Sequence, residues 1–464
     1  MEPAATIRDQ LVDYLSKHEL SINQFAIRSG INSGTLSRII NGHQPIAMSH
    51  LELITAGMGV REDYFYSLYV DECFYHSAPT WRRLRPFIVK CAELGRMDCI
   101  ELLVHNLLDN LTYVPMLFEV AEGLFQQGYW PGAALLYENV SASEKYQYSE
   151  RLAMCQYRLF QIALGDDQST NLRAATLFES YIPRLDEADQ LDALKQLVVV
   201  YYSLRQWKKV DELAQELLRL ATIQYDYLGH SKRTNVPEKK AIYPVYYYIL
   251  YSHLMRSCAC VEWEDYDNAL NLIKLYIDGS WIREDSEETR KILAQFKEWG
   301  QANTYLYRLL AGQQEVIPEY VEYISTQSNE IFMALYRIIQ SANRYLWNVD
   351  HVLDRFSNYV LNKTDLKELG THNPQVIADQ YARFLIELAT YYLDNNRSGG
   401  VKLILLSLES STKINSESIV MKCVDLFEQH RHEAEKEEKE QYKLLIRKVM
   451  DENEKKTHYA VSFV

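Results

Sequence analysis

Side chains able to do covalent or metal chemistry occur in this sequence, but none stand at the spacing such chemistry needs. Cys258 and Cys260 form a lone Cys-x-Cys inside an apolar run, and the second ligand pair of a zinc site is missing. They read as core cysteines. His430 and His432 lie in a charged stretch without a convergent partner. No glycine-rich phosphate loop occurs, and no His-Glu-x-x-His. Aspartate and glutamate are abundant, yet no spacing singles out a paired acid and base. An enzyme has no residue to stand on, and neither metal nor cofactor is expected. The polar residues that do share an arrangement offer hydrogen bonds rather than catalysis. Thr35, Ser37 and Arg38 are left off the apolar stripe of one short segment.

That segment belongs to Ser21–Gly42, which reads as two short helices around a tight turn. Ser21 suits an N-cap, because its hydroxyl can accept an orphan backbone N–H. Phe25 and Ala26 give the first helix a buried face. Ser29-Gly30 breaks it, glycine supplying the positive φ of a sharp turn. Ile31 plugs the space between the helices, and Asn32 or Ser33 caps the next one. Leu36, Ile39 and Ile40 then fall at i, i+3 and i+4, a single buried stripe. Asn41-Gly42 suits a left-handed C-terminus.

The run FAxxSGIxxxTLSRIxNG resembles the helix-turn-helix of the phage-repressor (Cro/C1, or XRE) class, over about the first 70 residues. In such domains the second helix enters the major groove with its N-terminal residues against base edges. The resemblance implies a readout surface of Asn32, Ser33, Gly34, Ser37 and Arg38, with Arg38 or Asn41 at phosphate. Two positions depart from the pattern. Ile22 replaces a common phosphate-contacting glutamine, and Gly34 has no side chain to offer a base.

A chain of 464 residues exceeds what one core usually serves, so at least two domains are expected. Its net charge of −14 excludes a protein that coats nucleic acid along its whole surface. Even the first 60 residues hold four cations (Arg8, Lys17, Arg28, Arg38) against five anions (Glu2, Asp9, Asp13, Glu19, Glu52). DNA affinity comes largely from neutralising phosphates, so one such domain should bind weakly and a homodimer is expected. Seven scattered cysteines suit a reducing cytoplasm better than a disulfide framework. The N-terminus lacks the pattern of a signal peptide, and no apolar run reaches the length of a membrane span. A soluble cytoplasmic protein is expected, without a membrane partner.

The periodicity predicts an all-α fold. A five-helix helix-turn-helix domain fills residues 1–70, with helices at 5–18 (buried stripe Ile7, Leu11, Val12, Leu15), at 48–56 and at 60–69 besides the central pair. A linker over 71–84 contains Ser77-Ala-Pro-Thr80. Beyond it, apolar segments come in pairs. Ala121, Leu124, Gly128, Trp130, Ala133, Tyr137 and Val140 share their spacing with Val198, Tyr201, Arg205, Trp207, Val210, Ala214 and Leu217. A looser pair follows at Glu264, Tyr266, Ala269, Ile273 and Tyr276. This is tetratricopeptide spacing, and it predicts a TPR-like α-solenoid over 85–456 with a tail at 457–464. Further hairpins are expected near 85–111, 147–182, 287–326, 328–361, 374–410 and 414–451. The charged stretch 430–456 reads as a capping helix, or as a dimerisation helix using Leu444, Leu445 and Val449.

A repressor-type helix-turn-helix followed by a tetratricopeptide array resembles the peptide-pheromone receptors of Gram-positive bacteria (the Rap, Rgg, NprR, PlcR and PrgX group) and phage arbitrium receptors. That resemblance is architectural, and motif-level identity stops at the DNA-binding domain. It implies a transcriptional regulator switched by a short quorum-sensing peptide held extended in a concave groove. Desolvated peptide N–H and C=O groups need partners there. Projecting the repeat register inward suggests Lys195, Tyr202, Tyr251, Asn303 and Asn343, with the asparagines as amide partners and Lys195 for an acidic group. The tyrosines of Tyr246-Tyr-Tyr248 line the groove or fill helix crossings. Two readings share the same build: an array that binds a protein partner, and a Rap-like scaffold that modulates a signalling enzyme.

Overall fold

The computed structural model describes residues 5–74, 79–146, 149–230, 239–326, 331–357, 374–414 and 416–461. The fold is all-α, and among the described residues there is no strand. The chain divides into two units, Met1–Ala163 with Ser180–Leu185, and Leu164–Glu179 with Asp186–Val464.

The first unit opens with five short helices: α1 Ile7–Lys17, α2 Ile22–Ser29, α3 Ser33–Ile40, α4 Met48–Met58 and α5 Tyr66–Phe74. Each early boundary has a local cause. Thr6 and Asp9 form a capping box at α1, and Ser21 and Gln24 another at α2. Gly30 ends α2 at φ 77°, where any side chain would be strained. Helices α2 and α4 cross so closely that a Cβ on Gly57 would stand 2.8 Å from Ser29 Cβ. The core is Ile7, Leu11, Phe25, Leu36, Ile39, Leu51 and Ile54, all nearly or fully buried. Val12 was expected in that stripe but is 45% exposed, and Arg8 takes the inward position instead. A buried guanidinium needs partners. Arg8 Nε donates to Ile39 O at 2.9 Å and Nη2 to Glu72 Oε1 at 2.7 Å, while Glu72 also accepts from the Ile46 amide at 3.3 Å.

The fifth helix begins six residues later than the expected 60–69, because Asp63 holds residues 61–65 in a turn. Its carboxylate accepts from Arg61 at 2.7 Å and from Arg96 at 3.1 Å. The linker expected over 71–84 is correspondingly shorter. Residues 71–74 finish α5, and 81–84 begin α6 (Trp81–Glu93). Residues 77 and 78 of its Ser-Ala-Pro-Thr motif lie outside the described residues. Across this junction Phe87 packs edge-on against Tyr66 and Tyr69, and Arg83 Nη2 donates to Glu72 O at 3.1 Å. The five-helix domain thus continues directly into α7 Met97–Leu107, α8 Val114–Gln126, α9 Trp130–Ser143 and α10 Glu150–Ala163.

The second unit comprises α11 Gln168–Phe178, α12 Glu187–Ser203, α13 Trp207–His230, α14 Val245–Glu262 and α15 Tyr266–Ile277. It continues with α16 Glu287–Leu310, α17 Ile317–Ser325, α18 Ile331–Tyr345 and α19 Asp350–Arg355. Four more helices follow: α20 Pro374–Asp394, α21 Gly400–Lys413, α22 Glu417–Gln429 and α23 Lys436–Val461. The repeat alignment is visible in the backbone. Gly128, Arg205 and Glu264, at one position of the aligned pairs, all adopt left-handed conformation, at φ 83°, 55° and 60°. That residue turns the chain from the first helix of a hairpin into the second.

The last helix caps the stack through Tyr442, which lies 3.8 Å from the Phe427 ring and parallel to it. Leu445 and Ile446 pack on the same cluster, whereas Leu444 is 64% exposed. The helix runs past the expected boundary at 456 to Val461, and residues 462–464 lie outside the described residues.

Candidate nucleic-acid interface and ligand face

The six residues expected to read DNA all sit on α3 and its two caps. Asn32 is the N-cap, its Oδ1 accepting from the amides of Gly34 at 3.0 Å and Thr35 at 3.3 Å. Leu36 and Ile39 are buried beneath, while Asn32, Gly34, Arg38 and Asn41 are exposed and Ser33 and Ser37 half-buried. The exposed side chains pair among themselves. Arg38 Nε donates to Gln44 Oε1 at 3.1 Å and Nη2 to Thr35 Oγ1 at 3.3 Å, and Asn41 Nδ2 donates to Ser37 Oγ at 3.3 Å. Such solvent-facing bonds exchange readily for base edges or phosphate. Thr35 and Gln44 join this network without having been singled out as contacts. The helix itself is held from behind by the Arg8 bond to Ile39 O, a cation at a helix C-terminus.

In the second unit, one face of α12 carries Asp192, Lys195, Val199 and Tyr202 at helical spacing. Tyr247 and Tyr251 of α14, one turn apart, lie opposite, together with Tyr243 from the segment before that helix. Tyr243 stands at the rim, 37% exposed, and Tyr251 is buried. The Tyr243 and Tyr247 rings stack at 4.2 Å, and those of Tyr247 and Tyr251 at 5.9 Å. The Lys195 ammonium sits 5.0 Å from the Tyr243 ring centre, 5.3 Å from Tyr251 and 6.0 Å from Tyr247. Burial pushes the Lys195 pKa down, with the Asp192 charge opposing the shift. Burial also raises the phenols, Tyr247 to about 12 and Tyr202 and Tyr251 further. Among the described residues, Lys195 Nζ and the hydroxyls of Tyr202, Tyr243, Tyr247 and Tyr251 have no hydrogen-bond partner. Lys195, Tyr202 and Tyr247 are half-buried and Tyr243 lies at an exposed rim, so these polar atoms still reach solvent.

The neighbouring polar groups are committed. Asp192 accepts from the Ile242 amide at 3.0 Å and from the Tyr248 hydroxyl, and Tyr246 bonds Thr289 at 3.0 Å. Tyr246 and Tyr248 are therefore core, and only the middle tyrosine of that run reaches the face. Asn303 Nδ2 donates to the Tyr276 hydroxyl at 3.0 Å, tying α16 to α15. Asn343 Nδ2 donates to Glu387 O at 2.8 Å and Oε2 at 2.9 Å, tying α18 to α20, and its Oδ1 is buried without a partner. Of the five expected ligand residues, the structure brings Lys195, Tyr202 and Tyr251 together and uses both asparagines as ties between helices.

Beyond Tyr202 lies a charged cluster. Glu262 at the end of α14 accepts from Arg205 at 3.1 Å and from Arg337 of α18 at 3.0 Å. Arg344 of α18 pairs with Glu264 at 2.7 Å. Two of these groups, Arg205 and Glu264, are the left-handed turn residues, so strained backbone positions carry the ion pairs between hairpins. Sequence reasoning placed Tyr247 among the groove candidates, within the Tyr246-Tyr-Tyr248 run, but did not single out Tyr243, Glu262 or Arg337. Their relation to Lys195 and Tyr202 is tertiary, and only the tyrosine run gave a signal.

No family model matches this chain. No curated protein matches it either. Among solved structures, the crystal structure of Bacillus thuringiensis PlcR in complex with the peptide PapR7 and DNA is similar over 78% of this chain and 100% of that one. The identity is 11% and the TM-score 0.23, a likeness too loose to carry an argument.

Among the described residues no cluster of His, Cys, Asp or Glu could hold a metal ion, and no helix is long and apolar enough to cross a membrane. The described free cysteines include Cys258 and Cys260, both half-buried; burial pushes their thiols up, Cys258 to about 11.

Proposed function

We propose that this chain is a cytoplasmic DNA-binding transcriptional regulator, switched by a short signalling peptide that lies extended along the α12–α14 face. The observation that carries this reading is the convergence of an ammonium and four phenolic hydroxyls with no internal partner. Ammonium N–H groups only donate, whereas phenols both donate and accept. An extended peptide offers carbonyls to the first and both carbonyls and N–H groups to the second. The walls are fixed by helix packing, so the peptide bears most of the ordering cost of binding.

The DNA half of the reading rests on α3, whose exposed polar face has the arrangement of a major-groove reader. The near-neutral charge of the first 60 residues favours a homodimer that doubles the phosphate contacts. Leu444 and Met450, both exposed on α23, are the apolar residues we assign to that contact. Sedimentation of the full chain at micromolar concentration should give a dimer, and a monomer both free and on DNA contradicts it.

The ligand half is tested by retention of randomised hexapeptides on the immobilised full chain. Wild type should retain a defined subset. The double variant Tyr202→Phe, Tyr251→Phe should bind those peptides about tenfold or more weakly, at roughly 1 kcal/mol per lost hydrogen bond. Retention of no peptide contradicts the reading and favours a protein partner on the same face.

A further inference from the structure

We infer that Lys195 is the seat of a carboxylate of the peptide ligand, so that this receptor takes peptides with a negative charge at one end of the α12–α14 face. The inference rests on the peptide reading above and specifies the chemistry at one of its positions.

Three aromatic rings surround the ammonium. Tyr243, Tyr247 and Tyr251 present ring faces, which stabilise a cation but accept little hydrogen bonding. Among the described residues Lys195 has no ion-pair or hydrogen-bond partner. The nearest carboxylate on its own helix, Asp192, is held by the Ile242 amide and the Tyr248 hydroxyl. Three N–H donors thus remain open in the aromatic box of three tyrosines, and the group that completes it must bring oxygen acceptors and negative charge. A carboxylate matches one ammonium in charge and spans two donors. A phosphate dianion would call for further cations, and the two arginines near Tyr202, Arg205 and Arg337, are both engaged by Glu262. Tyr202, two turns along α12, continues the face in the direction that a chain attached to that carboxylate would take. The carboxylate is either the peptide's own C-terminus or an aspartate or glutamate side chain, and the experiment separates the two.

Three randomised hexapeptide pools serve as probes for the full chain: free C-terminus without Asp or Glu, amidated C-terminus with Asp and Glu, and amidated without either. Wild type should retain peptides from the first or the second pool, whichever carries the carboxylate at the right place. It should retain those of the third about tenfold less or worse, as expected for a lost charge-assisted hydrogen bond. Lys195→Met should abolish the preference, and Lys195→Arg should keep it. Because Lys195 is unpaired, Lys195→Met should melt at or above the wild-type temperature. If that variant does not fold, the wild-type pool comparison and Lys195→Arg still decide. Equal retention of the third pool, or an unchanged preference in Lys195→Met, overturns the carboxylate inference and leaves the peptide reading standing. Retention of nothing from any pool overturns both.

Discussion

The exposed face of α3 and the α12–α14 face are both polar, but they are polar in opposite ways. On α3 nearly every side chain already has a partner within a few residues: Asn32 with Gly34 and Thr35, Arg38 with Thr35 and Gln44, Asn41 with Ser37. These bonds face water and cost little to exchange. On the α12–α14 face five groups have no internal partner among the described residues, and Lys195, Tyr202 and Tyr247 are half-buried with Tyr243 at an exposed rim. A polar surface that satisfies itself is stable without its target and can meet a large, hydrated one such as DNA. A half-buried donor set without internal partners is left to solvent in the free chain, and in the reading proposed above a peptide takes the solvent's place.

The largest effect should come from breaking the satisfied interior behind α3. Glu72→Gln leaves the Arg8 guanidinium buried beside a neutral amide, and removing one partner of a buried pair costs about 3–5 kcal/mol. Denaturant unfolding followed by hydrogen exchange should place that loss in α1, α3 and α5. A loss below about 1 kcal/mol would mean that the pair is not buried in solution.

Next in size is the exchangeable face. Arg38→Ala and Ser37→Ala should each weaken binding to the selected DNA site by about 1–3 kcal/mol, the worth of a base contact. Their helical circular dichroism should stay intact, because the bonds they lose are exposed. Unchanged gel shifts for both variants would remove α3 from the readout role.

The smallest effect is the sharpest contrast. The Tyr69 hydroxyl donates to Ile46 O at 2.8 Å, whereas that of Tyr251 donates to nothing among the described residues. Tyr69→Phe should therefore destabilise the chain by about 1 kcal/mol or more, and Tyr251→Phe by roughly nothing, or stabilise it slightly. Thermal melts of the two variants check this directly. Equal losses would show that Tyr251 has an internal partner, and would remove the reason for a ligand there.

How much of this was legible in the sequence follows from how local each feature is. The α2–α3 element was legible because Ser21, Gly30, Asn32 and the Leu36–Ile39 stripe act within a few residues of where they stand. The α8–α9, α12–α13 and α14–α15 hairpins were legible for a related reason, since the turn position shared by Gly128, Arg205 and Glu264 repeats at fixed spacing. Which way a helix faces was less so. Val12 and Arg8 exchange roles because Glu72, sixty-four residues from Arg8, supplies the partner that makes a buried arginine tolerable. Asn303 and Asn343 have the chemistry of peptide-binding amides, but Tyr276 and Glu387 lie within their reach and use it. The tyrosine box is likewise tertiary: α12 supplies the lysine, and α14 with the segment before it supplies the rings.

The central claim is that a peptide on the α12–α14 face sets DNA affinity. The most direct test measures the Kd of the full chain for a site selected from randomised DNA, at fixed salt, with and without a saturating peptide retained by the wild type. Coupling of about 1–3 kcal/mol, a change of roughly 5- to 150-fold in either direction, is expected, and Tyr202→Phe, Tyr251→Phe should reduce it at the same peptide concentration. A DNA affinity that does not change when the peptide is bound would contradict the account.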